Sequence, residues 1–229
     1  MRRLLMAVAV IVAVVMVAGM ASATLIGLKG QLGYPDIHFD NTGTISYTAS
    51  SGSFVLDADD WKIAYADGTF DYLTGRGYRT DFKIYLTVDN NGNLVGTGTM
   101  EEKVVEGSVT VSGNTYSEGT ILLSGTVVAF GWGEGTGGEA LGTFDFLISK
   151  DSLSGALVDD GIWPTNVPTG IVAYAEDLNE WTGSWESNFY LEKVKGDKAP
   201  VPEPATLLLL GSGLIGLAGI GRRKFKKGS

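Results

Sequence analysis

Between residues 24 and 198 the chain carries 25 Asp/Glu against ten Lys/Arg. That is ample carboxylate for acid–base work on a glycosidic bond, which needs two carboxyls roughly 5 to 9.5 Å apart in space. No spacing singles out such a pair. The sole histidine, His38, sits in Asp36-Ile37-His38-Phe39-Asp40. Strand alternation puts it with Asp36 and Asp40 on one polar face, the place of a surface histidine rather than a catalytic base. With no cysteine there is no disulfide, thiolate zinc site or Cys nucleophile. Gly183-Ser184-Trp185 lacks the second glycine of a nucleophile elbow. The sequence reading is therefore non-enzymatic.

Four turn-like stretches carry residues of the kinds found in binding loops. Gly133-Glu134-Gly135-Thr136-Gly137-Gly138 has the G-x-G-x-x-G form, but a strand-like run follows where a pyrophosphate needs a helix N-terminus, so no nucleotide is expected. Asp89-x-Asn91-x-Asn93 starts like an EF-hand, yet positions six and twelve are Leu94 and Met100 where Gly and Glu are required. Calcium stays open at Asp57, Asp59 and Asp60 and at Asp159-Asp160-Gly161, whose carboxylates suit a low-affinity extracellular site. No other cofactor is expected. Among the tryptophans, Trp132 in the Gly-rich loop is the candidate for stacking on a sugar ring, while Trp61, Trp163, Trp181 and Trp185 are expected to fill or cap the core.

Short β-branched and aromatic runs separated by Gly, Asn, Asp and Ser must position these groups. In Asp81–Val88 the residues Phe82, Ile84, Leu86 and Val88 share one face, and Asn91-Gly92 suits a type I′ turn into Leu94–Met100. Further hairpins are expected at Ser108–Val111 with Thr115-Tyr116, Gly43–Thr48 with Ser53–Leu56, and Leu141–Ser149 with Leu153–Val158. Val167–Tyr174 and Trp181–Val194 complete the set, and Ala173–Glu180 is the one helix candidate. Ten to twelve strands in 175 residues must curl or stack, so the expected fold is all-β: an antiparallel β-sandwich or a partly closed barrel in meander order. Its net charge of about −15 opposes nucleic-acid binding, which needs the opposite sign.

The two ends differ from this domain. Arg2-Arg3, the apolar run Leu4–Ala18 and Ala21-Ser22-Ala23 form a signal peptide over 1–23, cut by signal peptidase after Ala23. At the other end a Pro-rich stretch, 199–204, contains Pro202, Glu203 and Pro204. Seventeen uncharged residues, 205–221, then read as a transmembrane helix at the short end for a bilayer. Arg222, Arg223 and Lys224 begin a basic tail, 222–229, that the positive-inside rule holds in the cytoplasm.

Val201-Pro202-Glu203-Pro204, the Gly-rich apolar run and the terminal Arg/Lys cluster resemble the PEP-CTERM sorting tail of Gram-negative bacteria. The resemblance covers only about the last 30 residues. It implies recognition of Pro202-Glu203-Pro204 by exosortase, a membrane-embedded Cys transpeptidase, and company with exopolysaccharide and biofilm matrix. The expected life history is export, transient anchorage in the inner membrane with the domain in the periplasm, then the cell surface or matrix. The expected function is that of a non-enzymatic envelope or exopolysaccharide-matrix protein, the alternative being a carbohydrate-binding or carbohydrate-cleaving β-domain.

Overall fold

The computed structural model describes residues 25–28, 32–134, 142–177 and 184–201. Eight strands form its frame: β1 (Asp36–Thr48), β2 (Ser53–Ala58), β5 (Arg79–Thr87), β6 (Gly98–Glu106), β9 (Ile121–Glu134), β10 (Gly142–Ile148), β11 (Thr169–Asp177) and β12 (Phe189–Pro200). Each pairs antiparallel with the next in that order, and β12 returns to pair with β1. The result is a closed up-and-down barrel. The hairpin of β3 (Asp60–Ala64) and β4 (Phe70–Tyr72) continues the sheet from the first half of β1. A second hairpin pairs β7 (Ser108–Val111) with β8 (Asn114–Ser117). The one short α-helix among the described residues, α1 (Ala156–Asp159), buries Leu157 beside β9.

Period-two patterning makes the wall. Along β5, Phe82, Ile84 and Leu86 are buried and point inward, while Asp81, Lys83 and Tyr85 face out. An apolar interior and polar exterior reverse the arrangement of a membrane-spanning barrel. The interior is filled by side chains, as expected at eight strands. One end is aromatic: Tyr47, Phe54, Phe130, Phe144, Trp185 and Phe189 lie with ring centroids 5.0 to 6.4 Å apart. The Tyr47 hydroxyl donates to the Trp185 carbonyl at 3.2 Å.

The expected fold needs correcting in two respects. The sheet is neither a two-layer sandwich nor partly open, because the first and last strands meet. Their seam carries register shifts around Gly43, and glycines let the backbones approach there and in the adjoining β11–β12 pair. A Cβ on Gly43 would stand 2.6 Å from the Val194 carbonyl oxygen, and one on Gly196 only 2.1 Å from that of Val172. Closure also pairs the first and last strands, which an open meander would leave as exposed edges. Second, among the described residues no helix is long and apolar enough to cross a membrane. The expected transmembrane helix and the inner-membrane anchorage that rests on it find no support there and are not carried further. Residues 205–221, the signal peptide with Ala21 and Ala23, Trp181, Pro202–Pro204 and Arg222–Lys224 all lie outside the described residues.

Smaller differences have local causes. The β5–β6 hairpin forms, but only Gly92 takes a positive φ (+81°), so Asn91-Gly92 is not the type I′ pair. Instead Asp89 Oδ1 accepts the backbone N–H groups of Asn91 and Asn93 and shapes a longer loop. Ala173–Glu180, the helix candidate, starts within β11, and Leu153–Val158 gives a bridge and α1 rather than a strand.

Candidate functional site

Strand alternation turns Asp36 and His38 to the outer wall while Ile37 and Phe39 enter the core. Register then sets their neighbours: His38 lies opposite Asp197 of β12 on one side and Lys62 of β3 on the other, and Lys62 opposite Tyr72 of β4. Tyr72, Lys62, His38 and Asp197 thus form one row across four strands. The His38 Nδ1–H donates to Asp197 Oδ1 at 2.5 Å, and Nε2 lies 3.4 Å from Asp36 Oδ2. The bond to Asp197 holds the imidazole above its usual value, against partial burial. Burial pushes Asp36 up to about 6, opposed by the charge of His38.

Trp61 owes its position to a bulge. His38 pairs with Lys62 and Phe39 with Asp60, so Trp61 is an extra residue in β3. Asp60 points inward, and Trp61 and Lys62 both point out, breaking the alternation. Re-aiming a side chain in this way is what a bulge does. Trp61 is 42% exposed, the most of any tryptophan among the described residues. Its ring lies 6.2 Å from that of Tyr72, itself 5.2 Å from Phe70, and both partners are exposed. The Lys62 ammonium stands 4.5 Å from the Trp61 centroid and 5.5 Å from that of Phe70. Trp61, His38, Asp40, Asp197, Lys195 and Tyr174 line a groove of about 260 Å³.

A larger groove, about 440 Å³, lies on the outer wall of β5, β6 and β9. Of its two cations, Lys83 and Lys103, the first is paired at 2.7 Å with Asp81 and 3.3 Å with Asp57, and Tyr85 is the one aromatic residue in its lining. The first groove combines an open aromatic face with hydrogen-bonding groups and is the better candidate site.

The residues singled out from sequence are dispersed. Trp132 is half-buried at the aromatic end, its ring 5.5 Å from that of Trp185. Asp57, Asp59 and Asp60 do not converge on a cation: Asp57 faces Lys83, Asp59 accepts from Arg79 at 3.1 Å, and Asp60 enters the core. Asp160 accepts the Tyr116 hydroxyl at 2.6 Å. Sequence reasoning assigned Trp61 to the core and missed Phe70, Tyr72 and Asp197. The available signal was Asp60-Trp61-Lys62-Ile63, where a carboxylate occupies the inward parity and an aromatic interrupts the period.

A closed antiparallel barrel thus carries an open, aromatic-edged groove and hands its last strand directly to the C-terminal sequence. Residues 200–224 match the family model described as the PEP-CTERM protein-sorting motif, and the chain carries that motif. No curated protein and no solved structure matches the chain.

Proposed function

We propose that this is an exported, non-catalytic protein of the cell envelope or exopolysaccharide matrix, whose sorting motif is processed by an exosortase-type transpeptidase. The observation that carries this reading is the junction. The motif match begins at Pro200, the last residue of β12, whose carbonyl accepts the Gly33 N–H at 2.8 Å. Val201 is held in turn by the Pro168 carbonyl, so the recognition tripeptide follows the barrel wall without a spacer. Replacing Pro202, Glu203 and Pro204 by alanine in a host with an exosortase tests it. The expected result is loss of the shortened mature form, and surface or shed material still ending at Ser229 in the parental protein overturns it.

One observation favours a second reading, in which the domain binds carbohydrate. The bulge leaves Trp61 exposed beside His38, Asp40, Lys195 and Asp197, an aromatic face with polar groups able to bond sugar hydroxyls. Retention on immobilised exopolysaccharide, lost in Trp61→Ala and kept in Trp132→Ala, supports it; no retention of the parental protein ends it.

A further inference from the structure

We infer that Asp36 and His38, with Asp197 behind the imidazole, form a site for a divalent first-row transition ion of the zinc or copper type. One ligating atom from each of these three residues lies within 4.8 Å of the others. The spacing is informative. His38 Nε2 and Asp36 Oδ2 are 3.4 Å apart, which is the edge expected between two ligands of a tetrahedral ion with bonds of about 2.0–2.1 Å. Asp197 occupies the other ring nitrogen at 2.5 Å. A carboxylate on Nδ1–H fixes the tautomer and turns the Nε2 lone pair outward, the arrangement that orients metal-bound histidines.

Two further features fit an ion. Asp36 Oδ1 is buried with no hydrogen-bond partner among the described residues, so this carboxylate is only half used. His38 itself lines the groove with Asp197 and Trp61, so the imidazole that would hold the ion is reached from solvent. A mixed imidazole and carboxylate set suits zinc or copper better than calcium, which takes six to eight oxygens. Lys62, opposite His38 in the ladder, opposes binding with its charge and keeps the site weak.

The test uses the full chain, titrated calorimetrically with Zn2+, and with Cu2+ while tryptophan fluorescence is followed. The expected result is a single site whose affinity falls at least tenfold in His38→Gln and in Asp36→Asn. Asp197→Asn, which only disturbs orientation, weakens it less, and Lys62→Gln strengthens it several-fold. Copper quenching should diminish in Trp61→Phe, since Trp61 shares the groove. Equal melting of all variants in chelator shows that the fold is intact. No binding up to about 1 mM, the weak limit of extracellular cation sites, overturns the inference. So does unchanged affinity in His38→Gln, Asp36→Asn or Lys62→Gln.

Discussion

Lys198 donates to Asp60 at 2.7 Å inside the barrel, across 138 positions of sequence, with neither side chain exposed. The same ammonium donates to Glu102 at 2.8 Å and stands 3.7 Å from the centroid of the Phe82 ring. One cation thus ties β12, β3 and β6 together from within. Two carboxyls share it, and full ionisation of all three groups would leave a net negative charge in the core. Burial, then the charge of Glu102, pushes Asp60 well above the carboxylate range, although Lys198 pulls the other way. A proton held by Asp60 resolves the excess.

That proton makes stability depend on pH. Asp60 titrates higher in the folded chain than in the unfolded one, so the folded state binds more protons in the window between the two values. Stability is greatest below about pH 4 as far as this group is concerned, and falls as pH rises toward Asp60's elevated value. Asp36, raised to about 6, acts in the same direction. Urea midpoints measured from about pH 5 to 9 should decline, and Asp60→Asn should flatten the decline. An equal slope in that variant would locate the proton elsewhere.

Removing the cation is more damaging than removing the whole cluster. Lys198→Met leaves two carboxyls facing each other without a counter-charge and should cost about 3–5 kcal/mol at neutral pH. Adding Asp60→Asn and Glu102→Gln to that variant should recover much of the loss, since an amide pair can satisfy itself. Chemical denaturation of the single and triple variants checks both signs.

Strand β12 should be intolerant of side chains where it packs between β11 and the Phe39 ring of β1. A Cβ at Gly196 would lie 2.1 Å from the Val172 oxygen and 2.5 Å from Phe39 Cζ. The Val172 oxygen is backbone and cannot retreat without opening the β11–β12 ladder. Gly196→Ala should therefore destabilise by about 1–3 kcal/mol and raise aggregation, since partial opening exposes two strand edges. Denaturation midpoints and light scattering give the two readouts.

The strands were largely legible in the sequence, because in β5 and in the β1–β2 hairpin the inward face is apolar at every second residue. Closure was not. No local pattern announces that the first strand will meet the last, and the glycines that permit it look like any turn residue. The candidate site was half legible: alternation put Asp36 and His38 on one polar face. Asp197, 159 positions beyond His38 in number, joins them only through the closure. The Lys198–Asp60–Glu102 cluster escaped for the same reason, since each member reads as a surface charge until register turns it inward.

The N-terminal segment should depend on one carboxylate. Asp145 Oδ2, on the outer wall, accepts the backbone N–H groups of Gly27 at 2.8 Å and Leu28 at 3.3 Å. These bonds seat Leu28 against Val172 and Val201, beside the start of the sorting motif. Asp145→Ala should release residues 25–28 at a cost of about 1–3 kcal/mol. Hydrogen exchange should then quicken at Gly27 and Leu28 while the Tyr47 region stays protected.

Trp61 offers a direct separation of fold from function. A residue kept for packing cannot be deleted without loss, whereas a bulged residue is extra to the ladder. Excising Trp61 lets Asp60 and Lys62 follow one another, with Asp60 still opposite Phe39 and pointing in, and Lys62 still opposite His38 and pointing out. The internal cluster and the outer row both survive. What is lost is the hydrogen bond from Leu73 N–H to the Trp61 carbonyl at 2.9 Å, and the aromatic edge of the groove. The deletion should therefore cost only about 1 kcal/mol and leave the Asp60-dependent pH slope in place, while abolishing any retention on polysaccharide. A deletion that unfolds the chain would show that the bulge serves the barrel itself, and a deletion that keeps full retention would move sugar contact away from this groove.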